Sequence, residues 1–297
     1  MRAVVIHETG GPDVLRVEEV PEPVAGEGDV LVRVEAAGVN RFDLNQRAGG
    51  ASKLPLVLSS IGDAAGTRAD TGERVVVTAA RGSYAELTTV RAENVVPLPE
   101  GVDNAAAAAF PTPYKAAWWA LVGRAKLEQG ETLLVQGGAS STGQAAVDIG
   151  RSLGATVYAT ADERKHGRLR ELGAQPLRYD DPQIGDLSAD VVFDPLGERT
   201  FARSLEALGR GGRVVTPGAV GNSAISLDVS TLVGKRARVE GIAGQDAPRA
   251  ALGHLLEMLA RGELHPWVER ELPLDEAAEA HRLIEAGEVV GRVVLRP

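Results

Sequence analysis

The chain has 297 residues, 44% apolar and only 4% aromatic, with a formal charge of −9. That length suggests about two domains with folded cores, and the dispersed acidic charge excludes an electrostatic nucleic-acid binder, which needs a basic stripe. The absence of cysteine excludes disulfides, thiolate metal sites and cysteine nucleophiles.

The opening "MRAVVIHETG" carries charge where a secretory leader would be apolar. No later stretch is apolar for long enough to span a bilayer. The expectation is a cytoplasmic protein. Its first third reads as short strands: "RAVVIH", "VLVRVEAAGV", "ERVVVTA" and "YAELTTV" are β-branched runs bounded by turn residues. "PEPVAGEGD" is a Pro/Gly-rich connector. This part is predicted to be an all-β barrel or sandwich.

From Asn104 the chain becomes alanine-rich, and "NAAAAAFPTPYKAAWWALV" reads as helix on either side of the Pro111/Pro113 break. Strands and helices then alternate. "TLLVQG", "TVYATA", "ADVVFDPLG" and "RVVTPGA" are the strands. "GQAAVDIGRSLG" (closed by Gly154), "ERKHGRLRELG" and "RTFARSLEALGRGG" are the helices between them. Apolar strands separated by amphipathic helices imply a parallel sheet covered on both faces. The tail carries helices "ALGHLLEMLARGEL" and "LDEAAEAHRLIEAG" and a last strand, "GRVVLRP". The expected fold is therefore α/β. A doubly wound domain at 114–263 is inserted into a β-rich domain at 1–113, which residues 264–297 complete.

"LLVQGGASSTG" ends a buried strand and opens a helix. In that context a small-residue turn fits a dinucleotide pyrophosphate. Gly137 makes the tight turn, Gly143 lets helix and strand approach, and Ser140 stands where the backbone nears the phosphates, with a hydroxyl that can donate to a phosphate oxygen. Ser141 and Thr142 supply the helix start, where N–H groups favour an anion. After the next strand, Asp162 stands where a carboxylate grips the adenosine ribose and favours NAD. Arg164 and Lys165 follow at once and suit a 2′-phosphate, hence NADP. Tyr179 can pack on the adenosine end. The local chemistry leaves the two cofactors open.

The segments "HETGGPDVLRVEEVPEPVAGEGDVLVRVEAAGVN", "ADVVFDPLGERTFARSLEALGRGGRVV" and "DEAAEAHRLIEAGEVVGRVVL" together resemble the medium-chain dehydrogenase/reductases. The likeness is to their zinc-free quinone oxidoreductase (zeta-crystallin-like) branch and covers nearly the whole chain. It implies a GroES-like β-barrel catalytic domain, a Rossmann domain and an active site in the cleft between them. It also implies NADPH as hydride donor to a quinone or α,β-unsaturated carbonyl, with NADH possible, and a homodimer. It adds Gly218 to the cofactor set and makes Lys165 the main phosphate partner.

In the zinc-dependent branch the ligands fall where this chain has Asn40, Gly62 and Thr112, so no metal is expected. The five histidines share no ligand spacing, and His281 reads as structural. Asn40, in "GVN", is the expected donor to the carbonyl oxygen that gains charge as hydride arrives. Tyr114 and Lys115, in the domain-joining segment, are further catalytic candidates, Lys115 as a proton donor. Asp43 and Arg47 fit a helical i,i+4 pair. Asn45 and Ala51 replace pocket tyrosines common in the branch, and Ala116 replaces a threonine that commonly contacts the nicotinamide. The stretch "IGDAAGTRADTGERV" is shorter than usual, so a loop or strand is trimmed. Two alternatives remain: an enoyl-thioester reductase of the same superfamily, and a non-catalytic nucleotide-binding structural or regulatory protein. No nucleic-acid or membrane partner is expected.

Overall fold

A computed structural model describes residues 1–51, 53–218 and 224–297. The chain divides into two compact units. The first comprises Met1–Thr112, Leu252–Gly262 and Pro266–Pro297, and the second Pro113–Ala251 and Glu263–His265. The expected boundaries differ from these in three places: Pro113 and residues 264–265 belong with the second unit, and Leu252–Gly262 belongs with the first.

The first unit begins with β1 (Arg2–Ile6), β2 (Arg16–Glu19) and β3 (Asp29–Gly38). Along β3, Val30, Val32 and Val34 are buried while Leu31, Arg33 and Glu35 between and after them are partly or fully exposed, as a half-buried strand requires. A short helix α1 (Arg41–Asn45) precedes β4 (Leu56–Val57), β5 (Gly62–Arg68), β6 (Arg74–Ala80), β7 (Leu87–Arg91) and β8 (Val95–Pro97). The trimmed stretch is a direct hairpin. Arg68 and Glu73 close it through an N–H···O bond of 2.9 Å, and Gly72 takes φ +74°. Helix α2 (Asn104–Ala109) is capped by Asp103, whose side chain accepts from Ala106 N–H. Its alanines pack tightly at Gly38, where a Cβ would meet the Ala108 carbonyl at 2.2 Å and Arg292 Nη2 at 2.6 Å.

Helix α3 (Pro111–Trp118) leads to the second unit, whose strands are β9 (Thr132–Val135), β10 (Thr156–Thr160), β11 (Gln175–Leu177), β12 (Ala189–Phe193), β13 (Leu208–Thr216) and β14 (Arg238–Gly241). They run parallel in the order β11-β10-β9-β12-β13-β14. That is the 3-2-1-4-5-6 order of the Rossmann fold. Between them lie α4 (Ser141–Ser152), α5 (His166–Glu171), α6 (Phe201–Ala207) and α7 (Val229–Lys235). Gly154, at φ +78°, follows α4 as expected. The expected helix through "GRGG" stops earlier. After Ala207 the chain extends, and the glycines lie within β13, where Gly211 takes φ +85°. A core of Leu134, Val192, Val214, Phe201 and Leu205 joins sheet to helix α6.

Helix α8 (Ala250–Ala260), β15 (Val268–Pro273), α9 (Ala277–Glu285) and β16 (Arg292–Arg296) follow. The last strand returns to the first unit, pairing antiparallel with β3 at Val294↔Gly38 and Leu295↔Ala37. The sheet there reads β15-β16-β3-β5-β6-β8, with β7 also on β3. Its core draws Ile6, Val32, Val34, Leu58, Val75, Val77, Tyr84, Val293 and Leu295 from both ends of the sequence. No helix among the described residues is long and apolar enough to cross a membrane.

Candidate functional site

In the second unit, the turn after the central strand β9 is built for close approach. Gly137 takes φ +65°, and the two glycines that follow it in the turn, Gly138 and Gly143, are crowded. A Cβ on Gly138 would meet Ala159 Cβ at 2.6 Å, and one on Gly143 would meet the Gly137 carbonyl at 2.2 Å. Gly138 was not singled out from the sequence, although its place directly after Gly137 was visible. Helix α4 begins at Ser141, so Ser141, Thr142 and Gly143 form its first turn, where the helix dipole favours an anion.

Ser140 departs from expectation. It was expected to offer its hydroxyl to a phosphate. Instead Oγ donates to the Gly137 carbonyl at 2.8 Å and accepts from Gly143 N–H at 3.1 Å. Ser140 is therefore the N-cap of α4 and part of the frame of the turn.

At the end of β10, Asp162 precedes a 3-10 turn that carries Arg164 and Lys165. Asp162 and Arg164 are exposed and Lys165 is half-buried, and Arg164 Nη2 lies 4.0 Å from Asp162 Oδ2. Tyr179 is held by the Arg199 guanidinium, 5.7 Å above its ring. Burial raises the Tyr179 hydroxyl above its ordinary pKa, and the nearby Asp162 charge adds to this. Gly218 follows β13 at φ +151°, where its carbonyl accepts from Thr216 Oγ1 at 2.7 Å. The residues that follow it, 219–223, are outside the described chain.

Tyr114 was expected among the catalytic groups. It is buried; its hydroxyl donates to Asp148 Oδ2 at 2.7 Å and accepts from Gln144 Nε2 at 3.0 Å. Burial first, then Asp148, pushes it well above the ordinary tyrosine range. Asp148 also accepts from the His265 N–H at 2.5 Å, and Gln144 donates to the His265 carbonyl at 3.1 Å. Tyr114 thus ties α3 to two α4 side chains that also hold His265, an arrangement that suits a scaffold tyrosine. Lys115, next to it, is half-buried. Ala116 packs against Gly244.

In the first unit, the three positions compared with zinc ligands surround a carboxylate that was not singled out, Asp63. Asn40 Nδ2 donates to Asp63 Oδ2 at 3.2 Å, and Thr112 donates to it from both N–H (3.1 Å) and Oγ1 (2.9 Å, to Oδ1). Arg292, from the C-terminal strand, donates to Asn40 Oδ1 at 2.7 Å and to Asp63 Oδ2 at 3.3 Å. Burial lowers the Arg292 pKa, and the charges of Asp63 and Asp43 oppose that shift. Gly62 itself has no room for a side chain, because a Cβ would meet Ser83 Oγ at 2.0 Å. The donor set is an amide, a hydroxyl and a carboxylate already paired with a guanidinium, which does not fit the thiolate and imidazole preferences of zinc.

The expected Asp43–Arg47 pair does not form. Asp43 accepts from Asn40 N–H at 2.7 Å and from Tyr84 OH at 3.1 Å. Arg47 instead pairs with Glu285 on α9. Burial raises Asp43 to about 7 and lowers His281, 3.3 Å from Tyr84 OH, to about 3. Both partners come from distant segments, so helical spacing alone could not reveal them.

Family models match the chain in two places: residues 26–100 as an alcohol dehydrogenase GroES-like domain and residues 172–295 as a zinc-binding dehydrogenase. Human quinone oxidoreductase is 28% identical over 323 residues, covering 99% of this chain and 97% of that protein. A crystal structure described as an NAD-dependent alcohol dehydrogenase is 30% identical, with a TM-score of 0.91 and full coverage of both chains. A mycobacterial protein solved with NADPH is 29% identical, with a TM-score of 0.88, again over both full chains. With its GroES-like and Rossmann domains, the chain belongs to the medium-chain dehydrogenase/reductase superfamily, in its quinone oxidoreductase branch.

Proposed function

We propose that this oxidoreductase is zinc-independent and uses NADPH to reduce a quinone or an α,β-unsaturated carbonyl. The observation that carries the reading is the crowded Gly137–Gly143 turn, where only glycine fits at positions 138 and 143. Bound NADPH would supply the hydride. Gly137, Gly138 and Gly143 let the turn fold tightly enough for its backbone to pass beneath the pyrophosphate, Ser140 holds the turn, and Ser141 and Thr142 present the helix start. Tyr179 and Gly218 complete the dinucleotide set.

Arg164 and Lys165 favour the 2′-phosphate of NADPH. Asp162, which would favour NADH, already has Arg164 at 4.0 Å. Asn40 is the donor for the developing oxyanion. Arg292 fixes its oxygen and Asp63 one of its two amide hydrogens, so the amide plane is set in advance and the second hydrogen remains for a substrate oxygen. Lys115 is the candidate proton donor. Zinc independence rests on the poor fit of Asn40, Gly62, Thr112 and the engaged Asp63 to that metal. A homodimer is supported by Val229 and Val233, which lie one turn apart on α7 and are 64% and 72% exposed.

The test is NADPH oxidation against a panel of quinones and enones, with and without a chelator. No turnover with any member, despite NADPH binding, would refute the reductase reading and favour a non-catalytic nucleotide binder.

A further inference from the structure

A chain of hydrogen bonds runs beneath the dinucleotide turn, with every donor pointing the same way. Gly137 N–H donates to Thr160 Oγ1 at 3.0 Å, and Thr160 Oγ1 donates to Gln136 Oε1 at 2.7 Å. Gln136 Nε2 donates to Ser204 Oγ at 3.2 Å, and Ser204 Oγ donates to Asp194 Oδ2 at 2.7 Å. All four side chains are buried. They stand at the ends of β9, β10 and β12 and on α6, so the relay crosses the sheet at the edge where the turn begins.

We infer that Thr160, with Gln136 and Ser204, is a positioning residue for the dinucleotide, transmitting the fixed charge of Asp194 to the Gly137 turn. Asp194 is itself held, accepting from Leu196 N–H (2.9 Å), Gly197 N–H (3.1 Å) and Thr200 Oγ1 (2.8 Å). Its anchor also places Leu196, whose side chain would lie 3.1 Å from a Cβ on Gly137 and so roofs that glycine. A hydroxyl at position 160 is needed because one atom must accept from a backbone N–H and donate to an amide oxygen. Serine can do both and valine neither. Directional chains of this kind strengthen each member in a low-dielectric interior. The orientation of the Gly137 peptide, and with it the path of the backbone past the pyrophosphate, is thereby fixed before any ligand arrives. None of these side chains needs to touch the cofactor.

This inference rests on the proposed use of a dinucleotide, and its test measures binding directly. Thr160→Val keeps the shape of the side chain and removes the hydroxyl; Thr160→Ser keeps the hydroxyl. Calorimetric titration of the full chain with NADPH, NADH and ADP-ribose should show Thr160→Val weakened by about tenfold for all three, since the pyrophosphate is common to them. Thr160→Ser should bind within about threefold of wild type, and the KM for NADPH should rise in the valine variant while kcat at saturation is retained. Ser204→Ala, a smaller disturbance, should give a weaker loss in the same pattern and decides the matter if Thr160→Val does not fold. Wild-type affinity in a folded Thr160→Val, or in Ser204→Ala when the valine variant is unfolded, would overturn the relay alone. A wild type that binds no dinucleotide would overturn the cofactor reading as well.

Discussion

Arg292 and Asp63 form an ion pair at 3.3 Å with both side chains almost completely buried, 4% and 0% exposed. The strand that brings Arg292 is the last of the chain, and the carboxylate lies near the start of β5. Removing the guanidinium alone would leave the buried Asp63 charge without its cation and Asn40 Oδ1 without its donor. Arg292→Ala should therefore cost about 3–5 kcal/mol of stability, measured by urea unfolding. A loss below about 1 kcal/mol would mean that water reaches Asp63 when the arginine is gone.

The same cluster bears on metal dependence. Exhaustive chelation should leave reductase activity unchanged, and metal analysis of the active protein should find no stoichiometric zinc. Zinc content that rises and falls with activity would refute the zinc-independent proposal.

Ser140 and Gly143 should respond differently to substitution. Because Ser140 is an N-cap, Ser140→Ala should cost about 1 kcal/mol of stability and Ser140→Gly only a few tenths. Gly143→Ala drives a methyl into the Gly137 carbonyl, so it should cost about 1–3 kcal/mol and weaken NADPH binding as well. Thermal unfolding and cofactor titration of the three variants would separate these effects. Equal tolerance at both positions would contradict the packing described for the turn.

Lys165→Ala should weaken NADPH binding by about tenfold and leave NADH binding nearly unchanged, as expected for the loss of one charge-assisted contact to a 2′-phosphate. Parallel losses for both cofactors would place Lys165 elsewhere on the dinucleotide.

Asp43 and His281 have opposite effects on the pH dependence of stability. Asp43 binds its proton more tightly when folded, about 7 against an ordinary 3.8, so its contribution is full below about 3.8 and is lost as pH rises through 7. His281 is held neutral when folded, about 3 against 6.5, so its contribution is full above 6.5 and is lost as pH falls through 3. Between about 4 and 6.5 the unfolded state carries one proton on the histidine and the folded state one on the aspartate, and the two slopes cancel. His281→Asn removes one side of that balance. Relative to wild type, the variant's stability should then fall by about 1.4 kcal/mol per pH unit across this window, read from unfolding curves at several pH values. A constant difference between the two proteins would show that His281 titrates normally.

Elements with a local signature were legible in the sequence. Helix α4 could be read from its small-residue start and from Gly154, and β3 from its valine alternation. The interactions around the candidate sites were less legible, because their partners are far apart in the chain. Asp63 meets Arg292 across 229 residues, and Tyr84 meets His281 across 197. Spacing therefore offered Arg47 as the partner for Asp43, when the fold supplies Tyr84. One signal was present but not used. Gln136, Thr160 and Asp194 are polar residues at the ends of the apolar runs "TLLV", "TVYA" and "ADVVF". In a parallel sheet that position is where backbone turns need side-chain partners.

The contact between Gly38 and α2 ties distant positions together over evolutionary time. A methyl at 38 would strike the Ala108 carbonyl and Arg292 at once. Its acceptance therefore depends on a shift of α2 and a new resting place for the guanidinium, and so on what stands at positions 40 and 63. Drift at any one of these sites is conditional on the others. Chains that left this arrangement would be expected to have changed several of them together, so a deep mutational scan should find strong non-additivity between 38, 63 and 292 and almost none between 38 and its immediate neighbours in sequence.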